Sequence, residues 1–274
     1  MGASETDAMF PAIFAITVVG AALYYFAPER QRERILASPF PPEWESFLRA
    51  NNPLYGFLPP ALQKELRDRV KVFLAEKDFE GCGGLHITDE IRVTIASIAC
   101  MLLLNRAVGH YPRLKSILVY PSAYYSHDKA EVRLGESWGD GTVALAWDDV
   151  KKSARDFRDG HNLVLHEFAH QLDQEDGQAD GVPVLEQSSR YFGFAKVMGH
   201  EYERLVRLTD KGRKDVLHPY GATNPAEFFA VATETFFEKP KQLAKKHPEL
   251  YQELKDFFHL DPLTWSQKPS ASEG

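Results

Sequence analysis

The sequence predicts a helix-rich α+β domain with a small sheet, preceded by an N-terminal transmembrane helix. Three observations predict this arrangement. Apolar residues recur at helical spacing through much of residues 61–259, two short apolar runs have the length of strands, and one stretch near the N-terminus lacks any charge for twenty residues. The 274 residues suffice for one large domain or two small ones with a buried core.

Composition narrows the possible functions. A hydrophobic content of 44% with 26% charged residues is ordinary for a globular protein and excludes wholesale disorder. The chain has 32 basic and 39 acidic residues, a net charge of −7, so no excess of cations is present to bind nucleic acid. Two cysteines, Cys82 and Cys100, are too few for a disulfide framework.

The uncharged stretch, residues 8–27, predicts a transmembrane anchor within an N-terminal segment 1–27. Twenty helical residues span about 30 Å, the thickness of a bilayer core. Acidic residues precede the stretch, three aromatic residues lie at its C-terminal end, and three arginines follow it. By the positive-inside rule, this predicts that the rest of the chain lies in the cytoplasm. The alternative is a buried core helix in a soluble cytoplasmic protein. The acidic residues are Glu5 and Asp7, the aromatic residues are Tyr24, Tyr25 and Phe26, and the arginines are Arg30, Arg32 and Arg34.

Three further segments follow the anchor. Residues 28–60 are charged and rich in proline without a regular period, which predicts a connector and an arm that packs on the domain. Residues 61–264 form the predicted main domain, and residues 265–274 form a flexible tail. The prolines of the connector are Pro39, Pro41, Pro42, Pro53, Pro59 and Pro60.

Helices dominate the predicted domain. Two helices precede the strands, and Thr88 is the expected N-cap of the second. The strands are SILVY at 116–120 and TVALAW at 142–147. The predicted helices cover residues 61–77, 88–106, 160–174, 187–209, 224–239 and 241–259.

The residues that carry the most chemistry are His166, Glu167 and His170, an H-E-x-x-H motif. Histidines four apart share one face of a helix, so both imidazoles can reach one ion. Zinc suits neutral imidazole, and a catalytic site takes three protein ligands and leaves a position for water. Glu167 is then placed to accept the proton of that water. A third ligand is required.

Spacing leaves the third ligand open. Asp176 occupies the slot six residues after His170, although Asp173 stands where the glycine of that pattern belongs. Glu186 is the nearest glutamate at about twenty residues. A more distant candidate helix contains Glu227 and Glu234, which lie seven residues apart and therefore nearly on one face. A carboxylate in such an apolar helix is costly to bury unless it is paired or bound to a metal.

Two blocks, HEFAHQLD at 166–173 and YGATNPAEFFAVATE at 220–234, resemble the Mlc titration factor A family of bacterial zinc peptidases. The second block is also similar to the catalytic domain of the anthrax lethal factor protease, a glutamate-zincin. The resemblance to the titration factor family extends over most of residues 40–265, but does not include the apolar N-terminus. It implies a zincin-like fold, one Zn²⁺ per chain and Glu227 as the third ligand.

The resemblance also implies roles for neighbouring residues. Tyr220 lines the site and donates to the oxyanion of the transition state. Glu234 has a supporting role, and Asp173 either orients a ligand imidazole or caps the end of the helix. The strand TVALAW is either a core strand or an exposed edge to which an extended substrate adds.

Two functions of different classes follow. The first is a zinc-dependent peptidase with aminopeptidase-like activity on a peptide or protein substrate. The second is a regulatory protein that binds and sequesters a transcriptional repressor, the property for which the family is named. The complete set of predicted catalytic residues favours the first.

Overall fold

The computed structural model describes residues 29–106, 111–126, 131–139 and 141–265. The chain divides into two compact units, Met1–Pro39 and Phe40–Gly274. In the first unit, residues 29–37 are helical. No helix in the described part of the chain is both long and apolar enough to cross a membrane. The predicted anchor, residues 8–27, lies outside the described residues and stays a prediction, as does the tail beyond residue 265.

A four-stranded mixed sheet forms one layer of the second unit. Its strands are β1 (Asp78–Gly81), β2 (Ser116–Tyr120), β5 (Gly135–Trp138) and β6 (Thr142–Ala146), in the spatial order β1-β2-β6-β5. β2 pairs in parallel with β1 and β6, whereas β5 runs antiparallel to β6. A separate hairpin consists of β3 (Tyr124–Ser126) and β4 (Glu131–Arg133).

Helices surround this sheet and confirm the helix-rich α+β class. Prolines occupy the first position of several of them, where the missing N–H costs no hydrogen bond. The helices are α1 (Pro42–Asn51), α2 (Pro60–Glu76), α3 (Asp89–Ala99), α4 (Trp147–Arg155), α5 (Leu163–Asp173), α6 (Tyr191–Asp210), α7 (Pro225–Glu238), α8 (Pro240–Lys246) and α9 (Pro248–Phe258).

Several predicted boundaries are wrong. The helix predicted over 241–259 is two helices, because Pro248 cannot continue α8 and instead begins α9. The helix predicted to reach residue 106 ends at Ala99 and continues as the 3₁₀ turn Cys100–Leu103. The stretch 28–60 contains regular structure that its sequence did not reveal, since α1 lies within it and buries Leu48 completely.

The strand TVALAW is not an exposed edge. β6 lies between β2 and β5, so both of its edges are occupied. The edge strand on this side of the sheet is β5, whose four residues GESW carry little strand signal in the sequence. Of the two alternatives for TVALAW, the core strand is therefore confirmed, and the edge strand β5 was not predicted.

The helix α5 carries the H-E-x-x-H motif through the core. Val164, Leu165, Phe168 and Leu172 are fully buried. The Phe168 ring packs edge-on against Tyr111, with ring centroids 5.0 Å apart. Because its apolar face is fixed in this way, α5 presents its polar residues in one defined direction.

Candidate metal centre

The two histidines of α5 face one point. Asn162 begins the helix, and its side-chain oxygen accepts a hydrogen bond from Leu165 N at 3.1 Å. One turn separates His166 from His170, and their ring centroids lie 4.9 Å apart. This is the placement that the four-residue spacing predicted.

Helix α7 brings Glu227 to the same point. Asn224 caps α7 and accepts from Glu227 N at 2.9 Å, which fixes Glu227 in the first turn. Its Oε2 lies 3.0 Å from Nε2 of His166 and 3.4 Å from Nε2 of His170. Ligand atoms from these three residues all lie within 4.8 Å of one another.

These three residues fit a zinc ion. Two imidazole nitrogens and one carboxylate oxygen are a donor set that zinc takes at catalytic sites. Bonds of about 2.0–2.1 Å in a tetrahedron place two ligand atoms about 3.3 Å apart. The separations between Glu227 and the two histidines, 3.0 and 3.4 Å, bracket that value. The residues are therefore arranged to hold one ion with little movement.

Glu234 supports His166 from behind. Its side chain is fully buried, and Oε1 accepts a hydrogen bond from Nδ1 of His166 at 2.6 Å. A proton on Nδ1 leaves the lone pair of Nε2 directed at the metal point. Oε2 of Glu234 lies 3.7 Å from Nδ1 of His161, a histidine that sequence reasoning missed.

A third carboxylate of α7 holds the start of α5. Glu238 is buried, and it accepts from Asn162 Nδ2 and from Gly160 N, both at 3.0 Å. Burial raises the pKa of Glu238 to about 8. Sequence reasoning missed this residue, although its spacing of four from Glu234 places both carboxylates on one face of α7.

The predicted general base, Glu167, is buried beside the edge strand. It is 6% exposed, and burial raises its pKa above the ordinary value. A Cβ atom at Gly135 would lie 2.6 Å from Oε1 of Glu167 and 2.7 Å from Cδ1 of Leu163. The strand β5 can approach the carboxylate this closely only because residue 135 has no side chain.

Tyr220 lies on the 3₁₀ turn Pro219–Ala222, at the mouth of the site. Its ring centroid is 6.0 Å from that of His166, and it is 41% exposed. Burial of part of the ring and the charge of Glu227 raise the pKa of the phenol above its ordinary value, although the charge of Arg133 partly offsets this.

The other candidate ligands lie elsewhere. Oδ1 of Asp176 accepts from Gln178 N in its own turn, and Glu186 lies 3.2 Å from His259. Buried Asp173 accepts from Gly181 N through Oδ2, while its Oδ1 has no hydrogen-bond partner among the described residues. Asp173 thus fixes the loop that follows α5, and the predicted contact with a ligand imidazole is not formed in the described part of the chain.

A cavity of about 530 Å³ opens onto these residues. The backbone of β5, the turn that carries Tyr220 and the first turn of α7 form its walls. Glu167 and the three candidate ligands face into it. The residues in the wall that sequence reasoning missed include Arg133, Gly135, His161 and His218.

An H-E-x-x-H helix joined to a glutamate of a second helix defines the class, a metal-dependent peptidase. The chain belongs to the family described as glucose-regulated metallo-peptidase M90, whose family model matches residues 26–259. The resemblance stated from the sequence is thereby confirmed.

Three relatives illustrate the family. An uncharacterised protein of Synechocystis is 38% identical over 272 residues, which cover 93% of this chain and 99% of the relative. The Mlc titration factor A of Klebsiella pneumoniae strain 342 is 30% identical over 235 residues, 80% of this chain and 86% of the relative. The Mlc titration factor A of Cronobacter sakazakii is 28% identical over 270 residues, 90% and 97% of the two chains.

Proposed function

We propose that the chain is a zinc-dependent peptidase with aminopeptidase-like activity. The observation that carries this proposal is the convergence of His166, His170 and Glu227 on one point, with Glu167 buried beside them. These three residues would hold one Zn²⁺ per chain. When bound, zinc supplies Lewis acidity, which acidifies water and polarises a carbonyl oxygen.

Glu167 is the proposed general base. Its carboxylate takes a proton from the attacking water and passes it to the departing amine. The absence of a side chain at Gly135 allows this carboxylate to lie against the backbone of β5. Glu167 stands between the two ligand histidines in the sequence and lines the same cavity as they do.

Tyr220 is the proposed oxyanion donor. Its phenol belongs to the cavity wall and is accessible from solvent, so a substrate carbonyl can reach the hydroxyl. Arg133 lines the same cavity, and its positive charge acts on that phenol.

An extended peptide is the proposed form of the substrate. β5 pairs with β6 on one side only, and its residues Gly135, Glu136 and Ser137 line the cavity. No other strand in the described residues pairs with this edge, so it offers main-chain N–H and C=O groups to a peptide that lies across the metal point. Recognition through the main chain is compatible with many substrate sequences.

The substitution Glu167→Gln tests this function. We expect the variant to retain its metal while peptide hydrolysis falls by roughly 100-fold or more, the usual contribution of a general base. Glu203→Gln is the matched control, because the Glu203 side chain is 70% exposed. Full hydrolytic activity in Glu167→Gln would contradict the assignment. Comparison of peptides with free and acetylated N-termini tests the aminopeptidase-like preference, which predicts cleavage of the free form alone.

A second candidate function is regulatory binding of a transcriptional repressor. The observation that favours it is that several relatives are named Mlc titration factor A. If binding is the function, Glu167→Gln retains the cellular effect of the chain although hydrolysis is lost. Loss of both hydrolysis and the cellular effect in that variant supports the peptidase function over repressor binding.

We also propose that residues 8–27 anchor the chain in a membrane with the catalytic domain in the cytoplasm. The proposal rests on the uncharged stretch and the arginines that follow it. Recovery of the intact chain in the membrane fraction after cell lysis is the expected result. Recovery in the soluble fraction would support the alternative, a soluble cytoplasmic protein.

A further inference from the structure

A second cavity, of about 500 Å³, adjoins the candidate metal centre. His218 lines both cavities, so a ligand in one lies next to a ligand in the other. The walls of the second cavity come from the end of α6, the segment 212–219, the loop residues Asp159 and Gly160, and Lys239 at the end of α7. We refer to it as the cationic cavity.

Three permanently charged cations line it, Arg213, Lys214 and Lys239. Within the described ranges of the chain, no carboxylate oxygen lies within 4.0 Å of their charged nitrogens. Elsewhere in the structure, cations such as Arg190 and Lys255 do form such ion pairs. The cationic cavity therefore brings together three basic side chains that no described carboxylate pairs.

The two carboxylates in the wall already have partners. Oδ1 of Asp159 accepts from His161 N at 2.9 Å. Oδ1 of Asp215 lies 2.7 Å from Nε2 of the buried His247 and also accepts from two backbone N–H groups of its own loop. The lining has two carboxylates against three basic side chains, so an excess of positive charge remains.

The side chain of Lys239 runs along Gly160 at the edge of the cavity. Its side chain crosses Gly160, with Cδ at 3.0 Å and Nζ at 3.1 Å from the point where a Cβ of residue 160 would lie. Gly160 has φ +72°, a conformation that favours glycine and leaves this path open. Lys239 is partly buried, whereas Arg213 and Lys214 are exposed. A cation that is partly buried is screened less by salt than an exposed one and attracts an anion more strongly.

We propose that the cationic cavity binds an anionic group of carboxylate or phosphate type. Two sources share this chemistry. One is an acidic group on a peptide that extends from the metal centre past His218, in which case the inference rests on the proposed peptidase function. The other is a free small anion that occupies the cavity beside the substrate.

Equilibrium binding tests the proposal without turnover. The full chain with Glu167→Gln is titrated with inorganic phosphate, and separately with two peptides that differ only by Glu against Gln at one position. The cavity variant adds Arg213→Gln and Lys239→Gln. The matched control adds Lys241→Gln and Lys245→Gln instead, because both lysines are exposed on the adjacent α8 and lie outside the cavity lining.

We expect the cavity variant to weaken anion binding at least about tenfold relative to the control, the usual effect of losing a charge-assisted hydrogen bond. Weaker phosphate binding identifies a free anion, whereas a lost preference for the acidic peptide alone identifies the substrate. If the cavity variant and the control bind all three ligands equally, or if neither binds any, the proposal is wrong. These measurements do not require hydrolysis, so their failure is distinguishable from failure of the peptidase function.

Discussion

Oε1 of Glu234 accepts a hydrogen bond from Nδ1 of His166 at 2.6 Å, and the Glu234 side chain is fully buried. Glu227, Glu234 and Glu238 occupy α7 at intervals of seven and four residues. The first faces the metal point, the second holds a ligand imidazole, and the third holds Asn162 at the start of α5. One helix thus sets both the position of a ligand and the orientation of the helix that supplies the other two.

Glu234→Gln tests the support of His166. An amide accepts a weaker hydrogen bond than a carboxylate, and loss of such outer contacts usually lowers metal affinity about 10–100-fold. We expect that loss in a competition with a chelator of known affinity. Glu203→Gln serves as the control and keeps the affinity of the unmodified chain. Equal affinities in the two variants would show that Glu234 has no part in holding the metal.

Gly135→Ala tests the close approach of β5 to Glu167. A methyl group there meets the Glu167 carboxylate at 2.6 Å, so the carboxylate must move. A displacement of about 1 Å in a catalytic group costs roughly 100-fold in rate, and we expect a loss of that size in kcat with metal content unchanged. Gly139→Ala is the matched control, since a Cβ there has no neighbour within 4 Å. Similar rates in both alanine variants would show that the close approach at Gly135 does not matter for catalysis.

The buried His247 is predicted to stabilise the fold. It is 1% exposed and lies between Oε2 of Glu201, at 2.6 Å, and Oδ1 of Asp215, at 2.7 Å. Removal of one member of a buried ionic cluster leaves charges without a partner and costs about 3–5 kcal/mol. We expect His247→Gln to lower the free energy of unfolding in urea by that amount. His86→Gln, at an exposed histidine, should leave it within about 0.5 kcal/mol.

The same cluster predicts how stability depends on pH. Burial opposes protonation of His247, but its hydrogen bonds to Glu201 and Asp215 prevail and raise its pKa above 6.5. Its contribution is therefore complete below the ordinary histidine pKa and is lost as the pH rises through the raised value. The lowered pKa values of Glu201 and Asp215 cause a second loss at acid pH, below their ordinary range. Urea unfolding across pH should show both losses, and His247→Gln should reduce the alkaline one. An unchanged alkaline loss in that variant would contradict the assignment.

Local patterns were sufficient to predict much of the fold. Thr88 caps α3 as predicted, and the strand at Ser116–Tyr120 has the predicted bounds. These features depend on neighbouring residues in the sequence, through side-chain caps and apolar periodicity. The edge strand β5 was missed because its pairing with β6 is a tertiary property, and the letters GESW carry no alternation of apolar residues.

The residues of the candidate site could also be predicted only in part. His166 and His170 follow from helix geometry alone, whereas spacing could not choose between Glu227 and Glu234. The choice depends on the angle at which α7 crosses α5, and this angle brings Glu227 to Nε2 and Glu234 to Nδ1 of the same imidazole. Gly135 could not be predicted either, because its importance comes from a contact with a residue thirty-two positions away.

Metal content and peptidase activity, measured together, test whether the chain is a zinc-dependent peptidase. We expect about one zinc ion per purified chain. Chelation should remove both zinc and hydrolysis, and added zinc should restore hydrolysis. The variant His170→Ala should bind little zinc under the same conditions because one of three protein ligands is removed. If the chain is purified without zinc and its hydrolysis does not respond to added zinc, the proposed zinc-dependent function is wrong.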